Sequence, residues 1–356
     1  MSTDVRHPAS LLVVRLGAMG DVIHAVPAVV ALRSAFPEMR IGWLVEERWA
    51  ELLCAKDAPQ SGPRDESRPL VDSVHVVDTK RWRKSLFSSE TRHQIAAALR
   101  EVRNQHYEAA VDFQGAIKSA VMARLARTRT VIGMRHPREW PARMLYAAAA
   151  EAQGSHVIDQ YHSLAEAAAT SPLTKCPAVF ARDDRTESNI TKLLAPDERF
   201  VLINPGAGWG AKQWPPERYG EVAKGLTASG LSALINFGPR EGELVNHVVK
   251  ASGGTARPVS CSLGELIALT RRAVLFIGGD TGPLHLASAL RVPVVAIFGP
   301  TDPVRNGPYG TRSVMLRNPA SRTSLSHTSV PDPGLLKITA DEVIAAARQL
   351  LEAQSA

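Results

Sequence analysis

The sequence predicts an α/β chain that folds into two doubly wound domains, each built on a parallel β-sheet. Short, almost continuous apolar segments alternate with segments of helical length through both halves of the chain. Buried parallel strands have this apolar character because helices cover both faces of their sheet. The length of 356 residues also suits two domains of ordinary size better than one.

The N-terminal half begins with a strand over 11–14, followed by a turn and helix over 21–36. We expect Pro27 to split that segment, with the main helix starting near it, because proline suits a first helical turn. An alanine-rich segment over 147–169 is expected to be helical. The other elements expected in this half are strands over 41–45, 74–77, 109–113 and 130–133 and helices over 94–103 and 118–125.

The C-terminal half repeats the alternation of strands and helices. Its strands are expected over 200–203, 233–237, 274–277 and 294–298, and each ends in a loop with glycine or proline. Ligands of open α/β sheets bind beyond the carboxyl ends of such strands. A final amphipathic helix is expected over 339–351, and 57–68 and 318–333 are predicted loops.

The domain organisation follows from these elements. We place an N-terminal domain at 1–180 and a C-terminal domain at 181–335, because the segment over 171–196 contains prolines and mixed charges. We expect the helical segment 336–356 to pack back on the N-terminal domain.

Composition indicates a folded protein with anionic partners. Hydrophobic residues at 45% and charged residues at 22% exclude a disordered chain. A net charge of +7 favours nucleic acid, phosphorylated sugars or an acidic membrane surface, and the densest basic run is Lys80-Arg81-Trp82-Arg83-Lys84. Cys54, Cys176 and Cys261 match no metal-binding spacing and predict reduced thiols in a cytoplasmic protein. The apolar runs are too short to span a bilayer, so any membrane contact is expected to be peripheral.

Two strand-end motifs are the strongest candidates for chemistry. In the first, Gly17-Ala-Met-Gly20-Asp21 follows the first strand, where Asp21 either caps a helix or acts as a general base. In the second, Asp280-Thr281-Gly282-Pro283 follows the strand over 274–277, and His285 lies one turn into the next helix. A glycine loop that opens a helix with proline in its first turn predicts a pyrophosphate site. The alternative is a capped helix with a satisfied histidine.

Three further segments are weaker candidates. Lys212 follows the glycine-rich loop over 204–208 and either neutralises a leaving phosphate or faces solvent. Glu241 or Glu243 either binds a ribose diol or interacts with a helix dipole. The run 80–84 has three alternative interpretations: it binds phosphates or carboxylates, it binds nucleic acid, or it simply faces solvent. The metal-binding pattern His-Glu-x-x-His, an Asp-x-Asp pair and a Gly-x-x-x-x-Gly-Lys-Ser/Thr loop are all missing, so no metal site is predicted.

Taken in order along the chain, these motifs resemble the ADP-heptose:lipopolysaccharide heptosyltransferases, inverting glycosyltransferases of the GT-B architecture. The matching stretches are 20–24, 80–84, 112–119, 212–215, 279–285 and 298–303. The resemblance implies two Rossmann-like domains facing across a cleft. The Arg-Trp-Arg-Lys run is most similar to enzymes that add the first L-glycero-D-manno-heptose to the Kdo residue of Kdo2-lipid A in the lipopolysaccharide inner core. Enzymes that add the second heptose are the nearest alternative, and the loops over 204–212 and 318–333 depart from the family pattern.

The resemblance also implies a role for each matching residue. Asp21 corresponds to the catalytic base, and Lys212 to the lysine beside the donor diphosphate. The residues assigned to the donor site are Gly206, Ala207, Lys212, Glu241, Asp280, Thr281, Gly282 and His285, with Glu243 as the alternative ribose ligand. Those assigned to the acceptor site are Gly20, His24, Lys80, Arg81, Arg83, Lys84, Gln114, Lys118, Arg138 and Glu139. No metal and no other cofactor is expected.

The implied partners are an ADP-sugar donor and an anionic glycolipid acceptor. A monomer would meet them at the cytoplasmic face of the inner membrane, and nucleic acid is not an expected partner. Two other classes stay open. A nicotinamide-dependent oxidoreductase would need a fuller glycine fingerprint after the first strand, with Glu46 as the acid that ends the second. A nucleic-acid-binding protein would use the net positive charge and the run 80–84. Neither explains the strand-end loops of the C-terminal half.

Overall fold

The computed structural model describes residues 7–85, 87–324 and 328–355. The chain divides into two compact units, Met1–Asp183 and Asp184–Ala356. The described residues of each unit form a six-stranded sheet whose neighbouring strands are all parallel. Helices connect these strands, so the predicted pair of doubly wound α/β folds is confirmed.

The N-terminal unit has the sheet order β3-β2-β1-β4-β5-β6. Its strands are β1 (Ser10–Val14), β2 (Arg40–Glu46), β3 (Ser73–Val77), β4 (Ala109–Asp112), β5 (Thr130–Met134) and β6 (Ala148–Ala150). Its helices are α1 (Met19–Ala35), α2 (Thr79–Lys84), α3 (Ser89–Asn104), α4 (Ile117–Leu125) and α5 (Val157–Ala169), with 3-10 helices at Glu47–Leu52 and Trp140–Leu145.

The C-terminal unit has the sheet order β12-β11-β10-β7-β8-β9. Its strands are β7 (Phe200–Asn204), β8 (Ser232–Asn236), β9 (Ala256–Val259), β10 (Leu275–Gly279), β11 (Val294–Phe298) and β12 (Ser313–Arg317). Its helices are α6 (Asp184–Leu193), α7 (Pro216–Thr227), α8 (Gly242–Ala251), α9 (Leu263–Arg272), α10 (Gly282–Ala289), α11 (Pro303–Asn306) and α12 (Ala340–Ser355), with 3-10 helices at Gly210–Lys212 and Leu335–Lys337.

The two sheets share one strand order, and this order places the functional loops. In the N-terminal unit the order reverses at β1, which lies between β2 and β4; in the C-terminal unit it reverses at β7, between β8 and β10. Right-handed crossovers send the chain to opposite faces of the sheet on the two sides of such a strand, which leaves a crevice beyond the carboxyl ends. Binding sites are therefore expected after β1 and β4 and after β7 and β10.

The last helix belongs to the core of the C-terminal unit. Val343, Ala347 and Leu350 of α12 pack in the same buried cluster as Trp214. The Trp214 indole Nε1 donates a hydrogen bond to the Ile338 carbonyl at 3.1 Å, just before α12. The helix therefore packs within the core of the C-terminal unit, and the packing on the N-terminal domain that the sequence suggests stays a prediction.

Other local expectations need correction. Pro27 lies inside a continuous α1, because every other residue from Val22 to Leu32 is buried and that packing outweighs a cost of about 3 kcal/mol for an internal proline. The segment 147–169 is not one helix, since Ala148–Ala150 pairs with β5 before α5 begins. In the predicted loop over 318–333, residues 325–327 lie outside the described residues.

Candidate active site

A cluster of charged side chains lies where β10 ends. Asp280 follows β10 directly, and its side chain is 6% exposed. Lys212 Nζ donates to Asp280 Oδ2 at 2.5 Å and to the Asp280 carbonyl at 3.1 Å, while His285 Nε2 lies 3.0 Å from Oδ1. Burial alone would raise the pKa of Asp280, but hydrogen bonds and positive charge from His285 and Lys212 outweigh it and hold the pKa well below its usual range. Asp280 is thus an ionised carboxylate that fixes both neighbours at the carboxyl end of the sheet.

Helix α10 begins beside this cluster. Its N-cap residue, Thr281, has an extended backbone and makes no side-chain cap, and Pro283 lies in the first turn. Thr281, Gly282 and Pro283 are each partly exposed. Main-chain N–H groups at an uncapped helix start, together with the positive end of the helix dipole, favour an anion. The sequence-predicted residues Asp280, Thr281, Gly282 and His285 are therefore brought together at one helix end.

Lys212 is the last residue of the 3-10 helix between β7 and α7, and it is largely buried. Its side chain is 10% exposed, and Nζ lies 4.2 Å from the centre of the Trp209 ring. Trp214, two residues further on, is fully buried and packs edge-to-face on Tyr219 with ring centroids 4.7 Å apart. Of the two interpretations that the sequence left open for Lys212, the solvent-facing one is excluded.

Glu241 and Gly206 meet at the same edge of the sheet. Glu241 Oε2 accepts a hydrogen bond from the Gly238 N–H at 2.7 Å, and a Cβ atom at position 206 would lie only 2.2 Å from Glu241 Oε1. Glycine at 206 therefore allows the carboxylate to lie against the backbone after β7. The Asn236 side chain donates to Asn204 Oδ1 at 2.7 Å and extends this polar group across the ends of β7 and β8.

The remaining candidates of this edge differ in exposure. Ala207 is partly exposed in the loop after β7. Glu243 is exposed in the first turn of α8, where it interacts favourably with the helix dipole. Glu241, in contrast, is half-buried and lies against Gly206 and Gly238.

In the N-terminal unit, Asp21 lies in the first turn of α1. Its Oδ2 accepts the Ala18 N–H at 3.0 Å and pairs with Arg15 Nη2 at 2.7 Å. The carboxylate therefore bonds to the helix start, yet its side chain remains 37% exposed. Arg15 is buried, and its Nη1 also donates to the Phe113 carbonyl at 3.3 Å. This arrangement holds Asp21 beyond the carboxyl ends of β1 and β4.

The basic run forms α2, with its charges outside and its aromatic ring inside. Trp82 is buried, and its Nε1 donates to Gln94 Oε1 of α3 at 3.1 Å. Asp78 caps the helix by accepting the Arg81 N–H at 2.9 Å. The four cations that face solvent are Lys80, Arg81, Arg83 and Lys84. Trp82 thus anchors a helix that presents positive charge.

Lys118 lies next to α2 at the start of α4. Its Nζ is 3.1 Å from Thr79 Oγ1 and 3.8 Å from Glu46 Oε1, and Thr79 also donates to Glu46. Thr79 is the first residue of α2, so these contacts join the Lys118 side chain to the basic helix. Glu46, the candidate acid of the oxidoreductase alternative, is buried and engaged in these contacts.

The other acceptor candidates lie nearby but are mostly committed to internal contacts. Gln114 Oε1 accepts the Leu16 N–H at 3.0 Å, and Glu139 Oε2 accepts the Ile117 N–H at 2.8 Å. His24 is buried, with its ring 6.0 Å from the His156 ring. Gly20 is partly exposed in α1, and Arg138 is exposed beside Glu139.

Comparison with known proteins decides the class of this enzyme. Residues 95–331, more than half of the chain, match the sequence profile of glycosyltransferase family 9 (heptosyltransferase). The chain belongs to glycosyltransferase family 9. This family 9 chain is 27% identical over 319 residues to lipopolysaccharide heptosyltransferase 1 of Escherichia coli O18:K1:H7, covering 88% of the chain and 93% of that relative. It is 28% identical over 310 residues to lipopolysaccharide heptosyltransferase 1 of Pseudomonas aeruginosa, covering 86% and 83%.

The family 9 fold is also similar to a solved structure. The E. coli heptosyltransferase WaaC with ADP superposes with a TM-score of 0.78 at 24% identity, covering 96% of this chain and 99% of that chain. The predicted GT-B class with Rossmann-like domains is thus confirmed. Of the three classes that the sequence left open, the glycosyltransferase is the correct one.

Two buried residues of this family 9 site were missed from the sequence. Arg15 was not predicted, although a basic residue directly after an apolar strand requires an acidic partner when buried. Asp112, at the end of β4, accepts hydrogen bonds from the N–H groups of Gln114 (2.9 Å) and Gly115 (3.2 Å). It also accepts from the hydroxyls of Ser119 and Tyr146, and burial nevertheless raises its pKa. Asp112 therefore organises the turn that leads to Lys118.

The residues that the structure describes contain neither a metal-binding cluster nor a membrane-spanning helix. Within 7–85, 87–324 and 328–355, no cluster of three or more His, Cys, Asp or Glu side chains is arranged to hold a metal ion. In that part of the chain, no helix combines the length and the apolar character needed to cross a bilayer.

Proposed function

We propose that this family 9 enzyme transfers L-glycero-D-manno-heptose from ADP-heptose to the Kdo residue of Kdo2-lipid A in lipopolysaccharide inner-core synthesis. The observation that carries the proposal is the Lys212–Asp280–His285 cluster beside the uncapped start of α10. Both relatives at 27% and 28% identity are named lipopolysaccharide heptosyltransferase 1, and the similar solved structure contains ADP. The exposed cations of α2 support an anionic acceptor.

In this proposal the donor binds to the C-terminal unit. The diphosphate accepts hydrogen bonds from the main-chain N–H groups at the start of α10 and from Lys212. A lysine ammonium has three donors, and two of those on Lys212 bond to Asp280, so the third is available to the phosphate. His285 lies beside the same anion, and Glu241 accepts hydrogen bonds from the ribose hydroxyls.

Asp21 is the general base that removes the proton from the acceptor hydroxyl. Arg15 and the Ala18 N–H hold the carboxylate in place, so its orientation is set before substrate binds. The proton moves from the hydroxyl to Asp21 as the new bond to the anomeric carbon forms. The bond from that carbon to the phosphate oxygen breaks at the same time, ADP leaves, and the configuration inverts. Lys212 and the α10 N–H groups stabilise the negative charge on ADP, so no metal or other cofactor is required.

Exposed cations of the N-terminal unit bind the acidic sugars and phosphates of the acceptor. These are Lys80, Arg81, Arg83, Lys84, Lys118 and Arg138. Guanidinium groups are suited to this role because they bind carboxylates and phosphates through two parallel hydrogen bonds. We further infer that the enzyme acts as a cytoplasmic monomer in peripheral contact with the inner membrane, without a nucleic-acid partner.

Product analysis tests the proposal. The protein is mixed with ADP-heptose and either deacylated Kdo2-lipid A or the same core already carrying one heptose, and mass spectrometry detects the product. We expect one added heptose on the first acceptor only, undiminished by a metal chelator. Transfer only to the second acceptor would assign the second heptosyl step. Failure of ADP to bind would overturn the donor site itself.

A further inference from the structure

One face of the N-terminal unit is a layer of helices with an unusual outer surface. Helices α2, α3 and α4 and the 3-10 helix Trp140–Leu145 all contribute to one buried cluster. Trp82, Leu99, Ala123 and Ala142 are the inward-facing members, each at most 7% exposed. The outward sides of these elements therefore form one surface, which we call the outer helical surface.

The outer helical surface carries exposed apolar side chains. Five of the twelve large apolar side chains that are exposed within the described residues lie on it. They are Met144 (80% exposed), Trp140 (66%), Ile117 (44%), Leu125 (40%) and Val121 (39%). Single exposed apolar residues are ordinary, whereas a cluster of them marks an interaction site.

The spacing of these residues places them together. Ile117, Val121 and Leu125 are four residues apart along α4 and form a single stripe. The segment with Trp140 and Met144 packs directly on α4, since Glu139 accepts the Ile117 N–H at 2.8 Å. The stripe and the two large side chains thus belong to one patch.

The same surface is positively charged. An open groove of about 700 Å³ lies between α3 and the end of α4, with Ile95 and Leu99 among its lining residues. The basic side chains that line this groove are Arg92, Arg100, Arg103, His106 and Arg127. The acidic residues of these helices are Glu90, which pairs with Arg81 at 3.0 Å, and Glu101, which pairs with His75 at 2.7 Å. Within the described residues, none of the four arginines that line the groove forms an ion pair, so the groove carries net positive charge.

We propose that the outer helical surface docks on an anionic lipid bilayer. Trp140 and Met144 enter the headgroup region, where tryptophan is favoured, and the arginines contact lipid phosphates. A second copy of this chain is a poorer occupant, because it would bring two positive surfaces together. The inference rests on the proposed function and deepens it, since a glycolipid acceptor lies in a membrane.

Vesicle binding tests the surface. The whole protein is co-sedimented with vesicles of phosphatidylcholine alone or mixed with phosphatidylglycerol. We expect binding to the mixed vesicles, and the double variant Trp140→Gln/Met144→Gln should lower partitioning by about 10- to 100-fold, because burying one large apolar side chain is worth roughly tenfold in an equilibrium. Arg124→Gln, on the exposed side of α4, should lower it by about fivefold on anionic vesicles only. Leu193→Gln, an exposed apolar position of the C-terminal unit, is the matched control and should bind normally.

Measurements of heptose transfer distinguish a loss of membrane docking from a loss of catalysis. The double variant should transfer heptose to deacylated, water-soluble acceptor at the wild-type rate but lose transfer to Kdo2-lipid A embedded in vesicles. Wild-type vesicle binding by that variant, or equal binding to neutral and anionic vesicles, would overturn the docking inference. Conversion of a dimer to a monomer by the same substitutions would assign the surface to a second copy instead. Vesicle binding that needs Trp140 and Met144, without transfer to any acceptor, would retain docking and overturn the proposed function.

Discussion

Neutralising Asp280 is the sharpest perturbation of the donor site. The Lys212 and Asp280 side chains are 10% and 6% exposed and 2.5 Å apart, so both charges are largely shielded from water. Removing one partner of a buried pair costs about 3–5 kcal/mol, because the other charge loses its compensation. An Asp280→Asn substitution retains a hydrogen-bond acceptor for Lys212, so we expect a loss near the lower figure, about 3 kcal/mol.

Calorimetry of the Asp280→Asn variant measures this loss of stability, and a double variant tests its cause. For a domain the size of the C-terminal unit, each kcal/mol lowers Tm by roughly 2–4 °C, so a drop of about 6–12 °C is expected. The variant Lys212→Met/Asp280→Asn removes both charges and should recover most of the stability. A loss below about 1 kcal/mol, the size typical of exposed pairs, would refute the reasoning. So would a double variant no more stable than Asp280→Asn.

The pH dependence gives an independent check on the same pair. The pKa of Asp280 is lower in the folded chain than in the unfolded chain, so ionised Asp280 stabilises the fold above the unfolded pKa. This contribution is lost as pH falls through the folded value. The difference in free energy of unfolding between wild type and Asp280→Asn should stay constant from neutral pH to about pH 5 and become smaller below about pH 4. A gap that widens in acid would contradict the assigned ionisation.

The remaining predictions concern turnover and substrate affinity. Asp21→Asn should lower kcat by about 10²–10⁴-fold while calorimetric ADP affinity stays unchanged; near-normal turnover would remove Asp21 from its proposed role. Gly206→Ala places a Cβ 2.2 Å from Glu241 Oε1 and should raise the donor KM severalfold, whereas Gly208→Ala, with open space around it, should not; equal effects would argue against Glu241 at the ribose. Lys80→Gln/Lys84→Gln should raise the acceptor KM at low salt, and the difference should shrink near 1 M salt, where the screening length is about 3 Å. A salt-independent difference would exclude an electrostatic role.

The central strands were predictable from the sequence, whereas the edge strands β6, β9 and β12 were not. The strands β1, β7 and β11 are buried at every position, and apart from Ser10 and Asn204 their residues are all apolar. In contrast, β9 contains exposed Arg257 and Pro258, and every position of β12 is at least partly exposed. Edge strands pair on one side only and tolerate polar residues and proline, so their sequences lack the apolar signal.

The candidate site likewise contains residues whose positions the sequence predicts and contacts that it does not predict. The positions of Asp280 and Asp21 after a strand can be predicted from sequence, because strand ends in a doubly wound sheet have a predictable location. Their partners were harder to assign, because Lys212 is 68 residues from Asp280 in sequence and Tyr146 is 34 from Asp112. Contacts of this kind come from tertiary packing, and a single sequence holds no local pattern for them.

The hydrogen bond from Trp214 to the Ile338 carbonyl makes the donor lysine sensitive to the far end of the chain. Trp214 stands two positions after Lys212, and it shares a packed interior with α12. Proteolytic removal of the chain from Ile338 onward, or a bulky C-terminal fusion that unfolds the end of α12, would weaken the packing of the Trp214 indole. The loop that positions the Lys212 ammonium group would then be held less rigidly. Affinity tags for purification are therefore better attached at the opposite terminus.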